Sequence, residues 1–163
     1  MSDSKDSELL ENTTGLSYLS RAMSTSDIPA VYEIEQRAHS HPWKQVTFER
    51  RVAGTDFCRL ILQDECILAY AIASYGGGDA ELLNIVVDPR HQRKGIAGLL
   101  LSHIQALVAP HADMMFLEVR VSNQKAIDLY QCSGFFETGH RNGYYPTVNG
   151  REDALLMACQ LDI

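Results

Sequence analysis

Leu82-Leu83-Asn84-Ile85-Val86-Val87-Asp88-Pro89, then Arg90 and His91, then Gln92-Arg93-Lys94-Gly95-Ile96-Ala97-Gly98 form the stretch from which the rest of this sequence can be read. The first part is apolar and partly β-branched, and Asp88-Pro89 ends it, so it predicts a strand. Beyond the first glycine, Ile96, Leu99, Leu100, His103, Ile104 and Leu107 recur at helical spacing, which predicts a helix running to Val108 and stopped by Pro110. A strand therefore feeds a helix through a cationic loop that carries glycine. Such a loop lets backbone N–H groups crowd together and point outward at the positive end of a helix, which makes a cradle for phosphate or pyrophosphate. The loop is not a Walker loop, since no Gly-Lys-Ser or Gly-Lys-Thr follows, and it lacks the Gly-x-Gly-x-x-Gly spacing of a dinucleotide fold. The plain alternative is a charged turn that binds nothing, and the residues downstream decide between them.

Downstream, residues 114–121 read as a strand, Ser122 as the cap of a helix over 123–132, and Gly134 as its end. Residues 135–141 and 154–161 then read as two strands paired across a long turn over 142–153. Upstream, residues 16–23 form a first strand. The Ser24-Thr25-Ser26-Asp27 cluster starts a helix carrying Ile28, Val31, Ile34, Glu35 and Ala38. His39-Ser40-His41-Pro42-Trp43 breaks it, a short helix spans 45–53, and residues 57–62 and 67–75 flank Gln63-Asp64-Glu65 as a hairpin. This order predicts an α/β (α+β) fold, a mixed central sheet of about seven strands with about four helices on its faces. Residues 1–15 are polar and without sustained periodicity, so a mobile tail is expected there and one domain over 16–163.

Composition narrows the class. A chain of 163 residues, 45% hydrophobic and 21% charged, suits one ordinary globular core. The net charge of −7 disfavours broad binding to nucleic acid or to an anionic membrane and favours a cationic partner, with Arg90, Arg93 and Lys94 a local exception. Cys58, Cys66, Cys132 and Cys159 show no metal-ligand spacing and read as reduced thiols. With no secretory signal and no membrane-length apolar run, a cytoplasmic protein is expected. His39, His41 and Trp43 read as loop packing, and no metal is expected.

The glycine turn, preceded by Asn84-Ile85-Val86-Val87-Asp88-Pro89 and followed by Leu117-Glu118-Val119-Arg120-Val121-Ser122-Asn123 and Ala126-Ile127-Asp128-Leu129-Tyr130, resembles the GCN5-related N-acetyltransferases (GNAT), from about residue 16 to the end. Within that family, Ile34-Glu35-Gln36-Arg37-Ala38-His39, Pro42-Trp43 and the ending Arg141-Asn142-Gly143-Tyr144-Tyr145-Pro146 with Gly150-Arg151-Glu152-Asp153-Ala154 are similar to the bacterial members that acetylate the N-terminal alanine of a small-subunit ribosomal protein. Two departures stand out: Ala97 replaces a second glycine common in the turn, and the N-terminal segment is longer than the family's short start.

The resemblance implies acetyl-coenzyme A (acetyl-CoA) as cosubstrate, lying along Ile85, Val86 and Val87, with the Val86 N–H freed by a bulge to face the thioester oxygen. It implies that Arg93, Lys94, Gly95, Ile96, Ala97 and Gly98 hold the pyrophosphate and that Asn123 contacts the pantetheine arm, although Asn123 also reads as a helix cap. Acetyl transfer to an amine needs the amine neutral and the departing thiolate stabilised. Glu118, alternating away from Leu117 and Val119, is the expected general base, its plain alternative being a salt bridge to an arginine. Tyr130 stands where the family places its proton donor, and otherwise reads as a core residue. Glu35, Tyr144, Tyr145 and Asp153 are expected to shape a slot for the N-terminus of a basic ribosomal protein. Other N-termini, lysines or small amines as acceptors, and a non-catalytic acyl-CoA sensor, are the remaining readings.

Overall fold

In the computed structural model, which describes residues 6–162, the strand of the opening stretch is β5 (Asp79–Val87) and the helix beyond its loop is α3 (Ile96–Val108). The other strands are β1 (Glu8–Glu11), β2 (Ser17–Ala22), β3 (Phe57–Gln63), β4 (Cys66–Gly76), β6 (Met114–Arg120), β7 (Phe136–Thr147) and β8 (Gly150–Gln160); the other helices are α1 (Ile28–Ala38), α2 (Gln45–Ala53) and α4 (Gln124–Cys132). All eight strands join one sheet in the order β1-β2-β3-β4-β5-β6-β8-β7. Among the described residues only β5 and β6 run parallel, as expected of two strands joined by a crossover through α3.

Each face of the sheet carries its own core. Period-two alternation in β4 sends Ala69, Ala71 and Ala73 to the α3 side and Tyr70 and Ile72 to the α1–α2 side. The alanines leave room for Ile96, Leu100, Leu101 and Ile104 of α3, all essentially fully buried. Burying each such aliphatic side chain is worth about 1.5–3 kcal/mol. On the opposite face Ile28, Val31 and Ile34 of α1 and Phe48 of α2 close over Tyr70, Ile72 and Val86. No helix among the described residues is long and apolar enough to cross a membrane.

Three expectations change. The sheet has an eighth strand because Glu8–Glu11, inside the expected tail, pairs antiparallel with Ser17–Ser20 of β2, while Leu10 packs on the α3-side core and Arg59 holds Asp6 at 2.8 Å. Residues 1–5 of that tail lie outside the described residues. The last two strands are longer than expected: most of the stretch read as a turn over 142–153 belongs to β7 and β8, which meet at Val148 and Asn149. The expected turn takes in Gly143 and Pro146, yet β7 is the edge strand, where register shifts and a proline without an N–H are tolerated. The helix α4 is capped by Asn123, whose Oδ1 accepts from the Ala126 N–H at 3.2 Å, rather than by Ser122.

The pairing of β5 positions the site. Its bonds to β6 cover only Asp79–Glu81, whereas β4 follows β5 to Val87 and β8 follows β6 to Arg120. Past Glu81 the two parallel strands part and leave a gap in the middle of the sheet. A bulge at Leu83, where Ile72 pairs with Asn84 and Ala73 with Leu82, adds local bend at the point of parting.

Candidate active site

The basic loop stands at one end of this gap. Arg93 and Gly95 both have left-handed φ angles, +66° and +72°, and Gly95 is the N-cap of α3. The conformation is unfavourable for arginine and free for glycine. Arg93, Lys94 and Gly95 are exposed, while the Ile96 side chain is 2% exposed and seated in the α3 core. Ile96 therefore pins the loop and can offer a ligand only its backbone. Ala97 and Gly98 continue the first turn of α3, beside Leu129 of α4, and Lys125 of α4 donates to the Gln92 Oε1 at 3.1 Å. The turn carries no acidic residue, so the positive end of the helix is unopposed.

Along the gap, Ile85 and Val87 present their backbone, and Val86 does not. The Asp88 N–H donates to the Leu68 carbonyl across the β4–β5 ladder, and two-residue alternation puts the Val86 N–H on that same inner edge, opposite Tyr70. The Val86 side chain is 5% exposed and belongs to the α1–α2 core. The expectation that its amide faces the gap is thus corrected: the bulge lies at Leu83, and the amides on the open edge are those of Ile85 and Val87. The Val87 carbonyl on that edge is approached by the Gln92 side-chain amide at 3.5 Å.

At the mouth of the gap is a cleft of about 370 Å³ lined on one side by Leu83, Asn84 and Ile85 and on the other by Glu118, Asn123 and Tyr130, with Tyr145 over it. Glu118 leaves β6 on the face opposite the buried Leu117 and Val119, as alternation requires, and is about a quarter exposed. Its carboxylate also borders a second cleft of about 680 Å³ with Asp79, Glu81, Phe116 and Leu156. Burial, with the Glu118 charge adding to it, pushes the Glu81 carboxyl upward. Tyr130 projects from α4, packs against Phe135 at 5.7 Å and is buried, which pushes its hydroxyl up to about 12. Burial and then the Glu118 charge take Tyr145 to about 12 as well.

Glu118 has a partner that its own stretch of sequence does not reveal. The Arg141 guanidinium on β7 donates to it at 2.8 Å and lies 4.0 Å over the Tyr144 ring. Arg120 stacks 4.5 Å from the Tyr145 ring and pairs with Glu152 at 3.0 Å. Two stacked cation–tyrosine pairs thus form the outer wall. Finding them requires the β6–β8–β7 register, in which Arg120, Ala154 and Arg141 stand side by side.

The expected acceptor residues divide. Tyr144 and Tyr145 flank Glu118, with rings 4.9 Å apart. Glu35 lines the cleft but is 1% exposed and well bonded: the Tyr70 hydroxyl, the Asn84 amide at 3.0 Å and the Trp43 N–H at 3.2 Å all donate to it. It ties α1 to the chain leading into α2 and to β5, and burial first, then the Glu35 charge, raises the Tyr70 pKa. Asp153 is not among the lining residues; it accepts from the Gly143 N–H at 2.9 Å and braces the irregular part of β7.

Comparison with known proteins places the chain by family and fold. Residues 28–135 match the model of the acetyltransferase (GNAT) family. The [ribosomal protein bS18]-alanine N-acetyltransferase of Escherichia coli K12 is 41% identical over 143 residues, 87% of this chain and 97% of that protein. The crystal structure of the ribosomal-protein-S18-alanine N-acetyltransferase from Escherichia coli superposes with a TM-score of 0.84 at 39% identity, covering 88% of this chain and 94% of the other. The yncA protein of Salmonella typhimurium, solved with its cofactor acetyl-CoA, shares the fold at a TM-score of 0.76 and 21% identity, over 90% of this chain and 95% of the other.

Proposed function

This chain belongs to the acetyltransferase (GNAT) family and is an N-acetyltransferase, and on that premise we propose that it transfers the acetyl group of acetyl-CoA to the N-terminal alanine of a small-subunit ribosomal protein of the bS18 type. The observation that carries the reading is that Glu118 and Tyr130 line one cleft, which opens onto the unpaired edge of β5. The length and identity of the match to the bS18-alanine enzymes support the choice of acceptor. Asp79, Glu81 and Glu118 around the adjoining cleft suit a basic chain.

The residues present fit acetyl-CoA. Exposed backbone at Arg93–Gly95 and the start of α3 suits the pyrophosphate, and the open edge at Ile85 and Val87 gives backbone donors and acceptors to an extended pantetheine arm. Asn123 borders the same cleft, its Oδ1 already engaged as the α4 cap. When bound, acetyl-CoA supplies an acetyl group activated as a thioester. The chain then has three tasks.

Glu118 accepts the proton that the acceptor ammonium loses, directly or through water. Arg141 occupies the position of a cation beside Glu118, and the acceptor ammonium takes its place as the peptide enters. An α-ammonium of pKa about 8 loses its proton at pH 7 for about 1.4 kcal/mol and a lysine of about 10.4 for about 4.6 kcal/mol, so one carboxylate base suits the α-amine. The β5 edge amides polarise the carbonyl as the N–C bond forms. Tyr130 hydrogen-bonds the sulfur as the C–S bond breaks. With its hydroxyl near 12, complete transfer to a thiolate whose acid is about 8.5 is uphill by about 5 kcal/mol, so the proton follows the developing charge rather than preceding it.

Glu118→Gln and Tyr130→Phe test these roles. Each is expected to lower kcat by about 10²–10⁴-fold while the dissociation constant for CoA, measured by calorimetry, stays within about twofold of the parent. Unchanged turnover in both variants contradicts the assignment of base and acid to these two residues.

A further inference from the structure

Building on the proposed seat of acetyl-CoA at residues 93–98, we propose that Asn12, in the turn between β1 and β2, is a positioning residue that sets the pyrophosphate loop from behind. Asn12 is a polar residue only 8% exposed, and it reaches across 82 positions of sequence: its Nδ2 donates to the Lys94 carbonyl at 3.0 Å. Its Oδ1 accepts from the Thr14 N–H at 3.0 Å, the Thr14 hydroxyl at 2.8 Å and the Leu16 N–H at 2.8 Å. Those partners fix which end of the amide is which, since two of them are pure donors and the Lys94 carbonyl is a pure acceptor. The backbone closes the same turn, Asn12 N–H to the Leu16 carbonyl at 2.9 Å and Gly15 N–H to the Asn12 carbonyl at 3.0 Å. Asn12 is therefore a fixed post, anchored by the pairing of β1 with β2 and by Leu10 in the α3-side core.

The consequence for the loop follows from peptide geometry. The Lys94 C=O and the Gly95 N–H belong to one planar trans unit and point in opposite directions. Holding the carbonyl inward on Asn12 turns the Gly95 N–H outward, to the side where the exposed loop meets a ligand. The brace stands beside a strained residue, Arg93 at φ +66°, whose conformation is rare for a residue with a side chain. It is supplied by a segment outside residues 28–135, the part matched by the family model.

Asn12→Asp isolates the clamp: it keeps an oxygen for Thr14 and Leu16 but sets a second oxygen, instead of an amide, against the Lys94 carbonyl. Asn12→Ala removes both halves without adding charge, so the pair remains informative if one variant folds poorly, as judged by thermal unfolding. The expected result is a rise of about tenfold in KM for acetyl-CoA and in Kd for CoA, with kcat at saturating acetyl-CoA and KM for an Ala-initiated peptide within about twofold. S-acetylpantetheine, which lacks the pyrophosphate, is expected to be used equally by parent and variants, a selectivity that general loss of structure does not produce. If the parent binds CoA and both variants bind it as tightly, the Asn12 role is overturned and the proposed function stands. Equal losses with acetyl-CoA and S-acetylpantetheine also overturn it. If the parent does not bind CoA, both fall.

Discussion

The proposed chemistry rests on a few single side chains, Glu118 with its partner Arg141, and Tyr130. The direction of Glu118 was legible from Leu117 and Val119 beside it, and its salt-bridge reading is met by Arg141 at 2.8 Å, the partner that an acceptor ammonium has to replace if Glu118 is to act in the proposed role of base. The identity of that arginine was not legible, because it depends on a register set by an irregular hairpin. Val86 was misplaced for a similar reason: which amide faces the gap depends on where the bulge falls, and nothing in Leu82-Leu83-Asn84 distinguishes one site from the next. In the proposed mechanism Tyr130 sets the upper end of the pH profile. Burial keeps it protonated up to about 12, so kcat/KM is expected to rise with the free acceptor amine, around pH 8, and then stay level to about pH 10 without a falling limb from the tyrosine. A fall between pH 8 and 10 in a stopped acetylation assay, with the enzyme shown to remain folded, contradicts that role.

At the scale of elements, helices with a clean apolar stripe and two clear stops were read closely, α2 to the residue, while β1 and the outer parts of β7 and β8 were not. Glu8-Leu9-Leu10-Glu11 is too short to show a period and forms a strand because β2 and α3 offer it a partner. The edge position of β7 lets Gly143 and Pro146, inside the expected turn, belong to a strand. The end of β5 depends on Asp88, a buried carboxylate that accepts from Arg37 at 2.7 Å and from the Arg90 N–H at 3.0 Å. Burial acts to raise its pKa, but these two donors outweigh it and hold the carboxyl below the usual range. Its folded value being depressed, the contribution to stability is full above the unfolded value of about 3.9 and is lost as pH falls through the folded one. Asp88→Asn is expected to lower stability by about 2 kcal/mol at pH 7. Urea midpoints of the two proteins should draw together as pH falls below the ordinary carboxylate range; a gap that stays unchanged in acid contradicts the ion-pair account.

Across the whole molecule, the sheet separates past Glu81 into a β1–β5 part carrying the basic glycine loop and a β6–β8 part carrying Glu118 and the tyrosine wall. The gap is therefore a product of topology, the parallel pairing of β5 with β6, and the strand–loop–helix order that creates it could be read from residues 82–107. The net charge of −7 suits a basic acceptor. The measurement that tests the central claim most directly is mass spectrometry of an acetyl-CoA reaction with a basic peptide that begins with alanine and contains an internal lysine, run beside the same peptide with its N-terminus blocked. The account predicts one acetyl group, on the α-amine of the free peptide, and none on the blocked one. Acetylation of the lysine in both peptides contradicts it.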